Sequence, residues 1–239
     1  MIPRVVLESS TTPDGTPLVL SREAGHFMIR VGAIPLMSSA VHGSEEAMVL
    51  HGFGNLRERE SPRVLIGGLG MGFTLRAALD ALGPRADVHV VELLPKLVEW
   101  NRGPLADLSK RAIDDPRVVV DVADVRAVIA RQRGAYDAIL LDVDNGPEAL
   151  TVASNAGLYS TPGLAAIRTA LRPEGTVVVW SAFESKTFAS RLEKAGFTAR
   201  TETVSARGAV KKGSRHTLYI GRVPGNSDVG RGTPPRRRR

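Results

Sequence analysis

The feature that most constrains the fold is a regular succession of short apolar runs, each followed by a segment of helical character. The runs read VLIGG from residue 64, DVHVVE from 87, RVVV from 117, YDAILLD from 136 and TVVVW from 176. Strands that alternate with helices are joined by right-handed crossovers and form a parallel sheet. The sequence therefore predicts an α/β fold with a Rossmann-like, doubly wound and mostly parallel sheet.

The first 60 residues have a different pattern. LVLSREAGHFMIRV alternates apolar and polar residues, and turn residues such as Pro13-Asp14-Gly15 separate the runs, which predicts a small antiparallel β-unit. A linking helix follows, with Ser44 as the expected N-cap and Glu45 and Glu46 in the first turn. We therefore expect a β-rich unit over residues 1–60, a Rossmann-like catalytic domain over 61–222 and a tail over 223–239.

The positive charge of the chain is concentrated in that tail. The net charge is +7, but residues 222–239 hold six arginines and one aspartate, so only about +2 remains elsewhere. The tail is rich in Gly, Pro and Arg without apolar periodicity, and we expect it to be disordered. A weak electrostatic contact with nucleic acid is one alternative for it, although no aromatic residue is present for base stacking.

Composition excludes several classes of protein. The chain has no cysteine, so disulfides and thiolate metal sites are excluded. Its first residues, MIPRVVLESS, lack the apolar run of a signal peptide, and no stretch reaches membrane-spanning length. We therefore expect a cytoplasmic protein that does not contact the membrane. No cluster of His, Asp and Glu has metal-ligand spacing, and we expect no metal.

A glycine loop follows the first run of the predicted parallel sheet, with Gly68, Gly70 and Gly72 two residues apart. A phosphate-binding P-loop requires Gly-Lys-Ser/Thr at the helix entry, and this loop has Phe73 and Thr74 there. The dinucleotide fingerprint requires a third glycine at the position of Phe73. The spacing G-x-G-x-G is that of S-adenosylmethionine (SAM) folds, in which glycines allow the backbone to approach the ligand closely.

Acidic residues stand at the ends of the next predicted strands. Glu92 lies 20 residues beyond Gly72, the spacing at which an acid binds ribose hydroxyls in nucleoside-binding α/β folds. Asp124 precedes the next helix, and Asp142 ends the following strand. Because ligands of parallel sheets bind at the carboxyl ends of the strands, we expect these acids to share one site.

Together these segments resemble the spermidine-synthase-like (polyamine aminopropyltransferase) branch of class I SAM-dependent transferases. The resemblance covers residues 15–222 and is carried by HGSEEAM, VLIGGLGMGFTLR, HVVELLPKLVEW, DPRVVVDVADV and YDAILLDVDNGP. It implies that Glu92 binds the ribose of the donor, that Asp124 meets its adenine amino group and that Asp142 stands at the reacting centre. The loop residues that it places against the donor are Gly68, Gly70, Met71 and Gly72.

Two positions depart from the pattern of that branch. Spermidine synthases carry an aspartate in the glycine loop, where this chain has Met71, and a second acid after the fourth strand, where it has Asn145. A polyamine is a polycation and requires carboxylates. The residues that we expect to contact the acceptor are Glu45, Glu46, Asp144, Asn145 and Tyr159.

Three functions follow from the sequence. The leading expectation is methyl transfer from intact SAM to a small molecule or peptide, with Asp142 as orienter or general base. The alternative is aminopropyl transfer from decarboxylated SAM to a polyamine. A non-catalytic adenosyl-binding module is the third. The oligomeric state stays open, with a homodimer as one alternative.

Overall fold

The N-terminal segment folds into an antiparallel sheet. The computed structural model describes residues 4–143, 146–147, 157–208 and 213–225. The first four strands form a sheet in sequence order, with bounds β1 Arg4–Thr11, β2 Pro17–Glu23, β3 His26–Val31 and β4 Ile34–Ser38. Side chains alternate between the two faces of a strand, and Leu18, Leu20 and Ile29 are fully buried on one face of this sheet.

The second sheet has seven strands in the order β10-β11-β9-β8-β5-β6-β7. Its strands are β5 Arg63–Gly67, β6 Asp87–Glu92, β7 Val118–Val122, β8 Tyr136–Leu141, β9 Leu171–Ser181, β10 Thr198–Ser205 and β11 Arg215–Arg222. Strands β5 to β9 pair in parallel, and β10 and β11 pair antiparallel at one edge.

Helices cover both faces of this sheet. Their bounds are α1 Gly43–Phe53, α2 Phe73–Ala81, α3 Pro95–Arg102, α4 Val125–Ala130, α5 Thr161–Ala170 and α6 Phe188–Lys194. On one face, Val64 and Ile66 of β5 pack with Met48 of α1 and Leu75 of α2. The intervening Leu65 belongs to the core on the opposite face, with residues of α4, α5 and α6. This alternation is the reason that the parallel strands are apolar throughout.

The N-terminal sheet lies against the glycine loop and α3. Leu18, Leu20 and Ile29 form one buried cluster with Met71 of the loop and Trp100 of α3. The indole Nε1 of Trp100 also donates a hydrogen bond to Glu8 of β1 at 2.7 Å. The small sheet therefore covers the carboxyl end of β5, where the ligand of a parallel sheet is expected.

The predicted fold class is confirmed, with two differences in detail. Strands β10 and β11 were not predicted from the sequence, and they extend the parallel sheet with an antiparallel pair. The expected N-cap was wrong: α1 begins at Gly43 with His42 as its N-cap, and Ser44 lies inside the helix with its hydroxyl bonded elsewhere. Within the described residues, no helix is both long and apolar enough to cross a membrane.

Candidate functional site

The glycine loop between β5 and α2 lies in close contact with the end of β8. Gly68, Gly70 and Gly72 all have positive φ, at 89°, 53° and 82°. A Cβ added to Gly68 would lie 2.2 Å from the carbonyl oxygen of Asp142, which is far inside van der Waals contact. A glycine is therefore required at position 68, because of the positive φ and because the two strand ends approach each other closely.

Met37 of β4 covers the middle of the loop. A Cβ added to Gly70 would lie 2.7 Å from the Cε atom of Met37. From the other side, the Asn101 amide of α3 donates a hydrogen bond to the Gly70 carbonyl oxygen at 2.8 Å. The loop is thus held between the N-terminal sheet and α3.

Glu92 at the end of β6 is bonded to the loop. Its two carboxylate oxygens accept hydrogen bonds from the backbone N–H groups of Leu69 and Leu94, both at 2.8 Å. The residue is 5% exposed. Burial raises the pKa of Glu92, while the bonds from Leu69 and Leu94 oppose that rise. The acid thereby links the ends of β5 and β6, the two strands beside which a nucleoside ligand is expected.

Asp142 follows β8 and faces the beginning of α2, where the Thr74 hydroxyl lies 3.4 Å from its Oδ2 atom. The pKa of Asp142 is raised to about 7, mainly by burial and in addition by the nearby carboxylates of Glu45 and Glu92, while the Thr74 hydroxyl opposes the rise. A carboxyl group with a pKa near neutrality can accept a proton at the pH at which enzymes operate.

Glu45 enters the site from α1. Its Oε2 atom accepts a hydrogen bond from the Ser44 hydroxyl at 2.7 Å. Burial is the main cause that raises the pKa of Glu45. The neighbouring Glu46 has a different environment, because its side chain is 57% exposed and lies 2.9 Å from Nδ1 of His42. Of the two acids in the first turn, only Glu45 faces Asp142.

A narrow cleft joins these elements. Its volume is about 10 Å³, and it is lined by Met37, Ser38, Glu45, Leu69, Gly70, Met71, Phe73, Thr74 and Asp142. Glu45 and Asp142 are the charged members of this lining. Among the described residues, no group of three or more His, Cys, Asp or Glu side chains is arranged to hold a metal ion.

Several predicted site residues have other surroundings. Tyr159 was expected to face the substrate, but it is 2% exposed and its ring packs edge-on against Phe188 in the core beneath α5 and α6. Met71 lines the cleft but is only 2% exposed, because its side chain packs beneath the N-terminal sheet. Glu46 points away from the cleft, as described above.

Asp124 caps α4: its carboxylate accepts a hydrogen bond from the Arg126 backbone N–H at 2.7 Å and pairs with the Arg126 guanidinium at 3.2 Å. Asp144 and Asn145 lie outside the described residues, as do residues 226–239 of the basic tail.

Met37, Ser38 and Thr74 of the cleft were not predicted from the sequence. His216 of β11, whose Nδ1 lies 2.8 Å from the Ser44 hydroxyl, was not predicted either. Thr74 could have been identified, since it stands in the first turn of the helix that follows the glycine loop. Met37 and His216 reach the site only through tertiary packing, and no local pattern marks them.

Comparisons with known proteins were made by sequence and by structure. No protein-family model matches the chain. The chain is 38% identical over 147 residues to polyamine aminopropyltransferase 1 of Streptomyces coelicolor, a match that covers 58% of this chain and 27% of the relative. It is 37% identical over 125 residues to polyamine aminopropyltransferase 2 of Pseudomonas aeruginosa, covering 50% of this chain and 34% of the relative. The chain thus matches about a third or less of the length of these curated relatives.

Solved structures share the fold. A spermidine synthase in complex with the transition-state analogue AdoDATO superposes with a TM-score of 0.74 at 18% identity, covering 91% of this chain and 73% of that one. Human methyltransferase-like protein 13 in complex with SAH superposes with a TM-score of 0.54 at 20% identity, covering 80% of this chain and 84% of that one. The chain therefore has the fold that these spermidine synthase and class I methyltransferase structures share, and about half of its sequence is similar to part of two polyamine aminopropyltransferases.

Proposed function

We propose that this chain is a SAM-dependent transferase that moves an aminopropyl group from decarboxylated SAM to an amine of the polyamine class. The observation that carries the proposal is the placement of two partly buried carboxylates, Glu45 and Asp142, in one cleft against the glycine loop. Similarity to two polyamine aminopropyltransferases supports it. This is the alternative that the sequence left open, and the comparisons favour it over methyl transfer.

The reaction is a displacement at the carbon that joins the aminopropyl group to the sulfonium. The lone pair of the acceptor amine forms the new C–N bond, the C–S bond breaks, and its electron pair goes to sulfur to give methylthioadenosine. An ammonium ion has no free lone pair, so a proton must leave the amine. In this proposal, Asp142 accepts that proton, a role that suits its raised pKa of about 7.

The donor would bind across the ends of β5, β6 and β7. Gly68 and Gly70 would lie against its adenosyl moiety, Glu92 would bind the ribose hydroxyls, and Asp124 would meet the adenine amino group. Glu92 already accepts backbone N–H bonds through both oxygens, but each carboxylate oxygen has a second lone pair for a ribose hydroxyl.

The charges of the cleft favour the decarboxylated donor. Met37 and Met71 contribute uncharged thioethers to its lining, and Glu45 and Asp142 contribute carboxylates. Intact SAM would bring a further carboxylate toward these acids, whereas decarboxylated SAM ends in an ammonium group. At a separation of about 4 Å and an effective dielectric constant near 20, one unit charge pair corresponds to roughly 4 kcal/mol before desolvation.

Binding requires part of the cleft to open. A volume of about 10 Å³ is far smaller than a nucleoside, and the tip of Met37 covers Gly70. Methionine is flexible, with three rotatable side-chain bonds. We propose that a rotation of Met37 away from Gly70 accompanies donor binding.

Calorimetry with SAM, decarboxylated SAM and methylthioadenosine tests the donor assignment. The proposal predicts that decarboxylated SAM binds at least tenfold more tightly than intact SAM, which is about 1.4 kcal/mol. Equal or tighter binding of intact SAM would restore methyl transfer as the leading function, and absence of binding by all three ligands would contradict the assignment as a SAM-dependent enzyme.

A further inference from the structure

A hydrogen-bonded chain runs from the cleft to β11. The Ser44 hydroxyl lies 2.7 Å from Oε2 of Glu45 and 2.8 Å from Nδ1 of His216. Ser44 is fully buried. Two residues that are adjacent on α1 are therefore connected to a histidine at the far end of the sequence, and the connection has no contact with solvent at its centre.

The donor and acceptor in each of these two hydrogen bonds can be assigned. A serine hydroxyl carries one proton, so if Ser44 donates it to the Glu45 carboxylate, the bond between Ser44 and His216 must use the proton on Nδ1 of His216. Burial lowers the pKa of His216, which favours a neutral ring with a single proton. The arrangement that satisfies both bonds is thus an ionised Glu45, a Ser44 that donates to it and an Nδ1-protonated, neutral His216.

Packing fixes both ends of this hydrogen-bonded series, His216 and the start of α1. The His216 ring packs edge-on against Trp180 of β9 with a centroid separation of 4.7 Å. The start of α1 is bound to the β10–β11 connection, where the Gly43 N–H donates to the Ala206 carbonyl oxygen at 2.9 Å. A Cβ on Gly43 would lie 1.9 Å from the Gly208 nitrogen, which shows how closely these segments approach.

The second carboxylate oxygen of Glu45, Oε1, has different surroundings from Oε2. Oε2 accepts a hydrogen bond from the Ser44 hydroxyl, and besides Ser44 only the backbone of Glu45 itself is given as bonded to this carboxylate within the described residues. Since Glu45 lines the cleft beside Gly70 and Met71, Oε1 is the atom that can accept from a bound cation. A partly buried carboxylate that has one oxygen bonded to a neighbouring hydroxyl and the other facing the cleft is suited to binding an ammonium group.

We propose that Glu45 binds a primary alkylammonium group of the substrate, and that Ser44 and His216 are positioning residues that orient the Glu45 carboxylate toward it. This inference rests on the proposed function and deepens it by naming the residue that recognises the substrate's charge. The ammonium group has two sources, the aminopropyl terminus of the donor and the amine of the acceptor, which binding experiments can separate.

Calorimetry of the full chain with three titrations identifies the source. Methylthioadenosine carries the nucleoside without the ammonium group, decarboxylated SAM carries both, and putrescine added to protein saturated with methylthioadenosine reports the acceptor. Glu45→Gln is expected to weaken either decarboxylated SAM or putrescine about ten- to hundredfold, the range for a hydrogen bond to a charged group, and to leave methylthioadenosine unchanged. Glu46→Gln, on the next and exposed residue, is the matched control and should leave all three affinities unchanged.

The positioning role is tested by a double-mutant cycle. Ser44→Ala should reduce the same affinity as Glu45→Gln by at least about threefold, and should have no further effect when Glu45 is already glutamine. His216→Phe retains a ring against Trp180 while it removes Nδ1, and it provides the same test if Ser44→Ala lowers the melting temperature. Equal losses for methylthioadenosine, or additive effects of the two substitutions, would contradict the positioning role.

Failure of this inference is distinguishable from failure of the proposed function. A wild-type chain that binds decarboxylated SAM and putrescine, with both affinities retained in Glu45→Gln, overturns the inference alone. The inference and the proposed function are both overturned by a different result. In that result, the wild-type protein binds neither ligand more tightly than Glu45→Gln does, and it forms no methylthioadenosine from decarboxylated SAM.

Discussion

The carboxylate of Glu92 accepts a hydrogen bond from the backbone N–H of Leu69 at 2.8 Å, which joins the acid at the end of β6 to the glycine loop after β5. The other oxygen accepts from the Leu94 N–H at the same distance. One buried side chain therefore fixes the start of two loops that, in the proposed function, contact the adenosyl donor.

Glu92→Gln tests that connection. A glutamine has a single oxygen acceptor, so its NH₂ group would face one of the two N–H donors and leave it unsatisfied, at a cost of about 1–3 kcal/mol. We expect a lower melting temperature and about tenfold weaker binding of methylthioadenosine. Glu99→Gln, on the exposed side of α3, is the control for the loss of a carboxylate. Wild-type affinity in Glu92→Gln would show that the loop does not depend on this acid.

Gly68 and Gly15 form a matched pair for the loop geometry. Their φ values are 89° and 83°, but a Cβ on Gly68 would meet the Asp142 carbonyl oxygen at 2.2 Å, whereas a Cβ on Gly15 would have no atom within 4 Å. Gly15→Ala should cost only the backbone penalty of about 1 kcal/mol. Gly68→Ala should cost about 3 kcal/mol or more in the free energy of unfolding, measured by urea denaturation. Equal costs would mean that the strand ends can separate freely.

Asp142→Asn separates catalysis from binding. An amide cannot accept the proton of the attacking amine, so we expect turnover to fall about 10²- to 10⁴-fold. The affinity for methylthioadenosine should be nearly unchanged, because Asp142 is assigned to the reacting centre rather than to the nucleoside. Parallel losses of turnover and of nucleoside affinity would instead assign Asp142 to binding.

The same variant has a predicted effect on stability as a function of pH. The pKa of Asp142 is about 7 in the folded protein, against 3.8 as its ordinary value, so the folded state binds the proton more tightly. The resulting stabilisation is present below about pH 4 and is lost as the pH rises through about 7. The melting temperature of the wild type, relative to that of Asp142→Asn, should therefore fall between pH 4 and pH 8. Parallel pH profiles would show that Asp142 has an unperturbed pKa.

Sequence patterns predicted the part of the fold that depends on local periodicity and on the geometry of parallel sheets. The strand ends at Gly68, Glu92 and Asp142 meet at one edge because the carboxyl ends of parallel strands must do so. The fold class followed from the same alternation of strands and helices. The methyl-transfer expectation followed from two positions, Met71 and Asn145. The uncharged side chain of Met71 says nothing about the charges that other elements bring to the cleft.

The remaining features depend on how separate units pack. Met37 covers Gly70 because the N-terminal sheet lies on the loop, and His216 reaches Ser44 because β11 pairs next to β9. Glu45 and Glu46 are adjacent in the chain, but the helical rotation of about 100° between them directs one into the cleft and the other to solvent. Tyr159 could not be assigned to the core without the position of Phe188 on α6.

The most direct test of the proposed function is identification of the products of a turnover assay with putrescine and each donor in turn. We expect decarboxylated SAM and putrescine to yield methylthioadenosine and an aminopropylated amine, both detected by mass spectrometry, and intact SAM to yield no methylated amine. Formation of S-adenosylhomocysteine and a methylated amine from intact SAM, without methylthioadenosine from the decarboxylated donor, would contradict it.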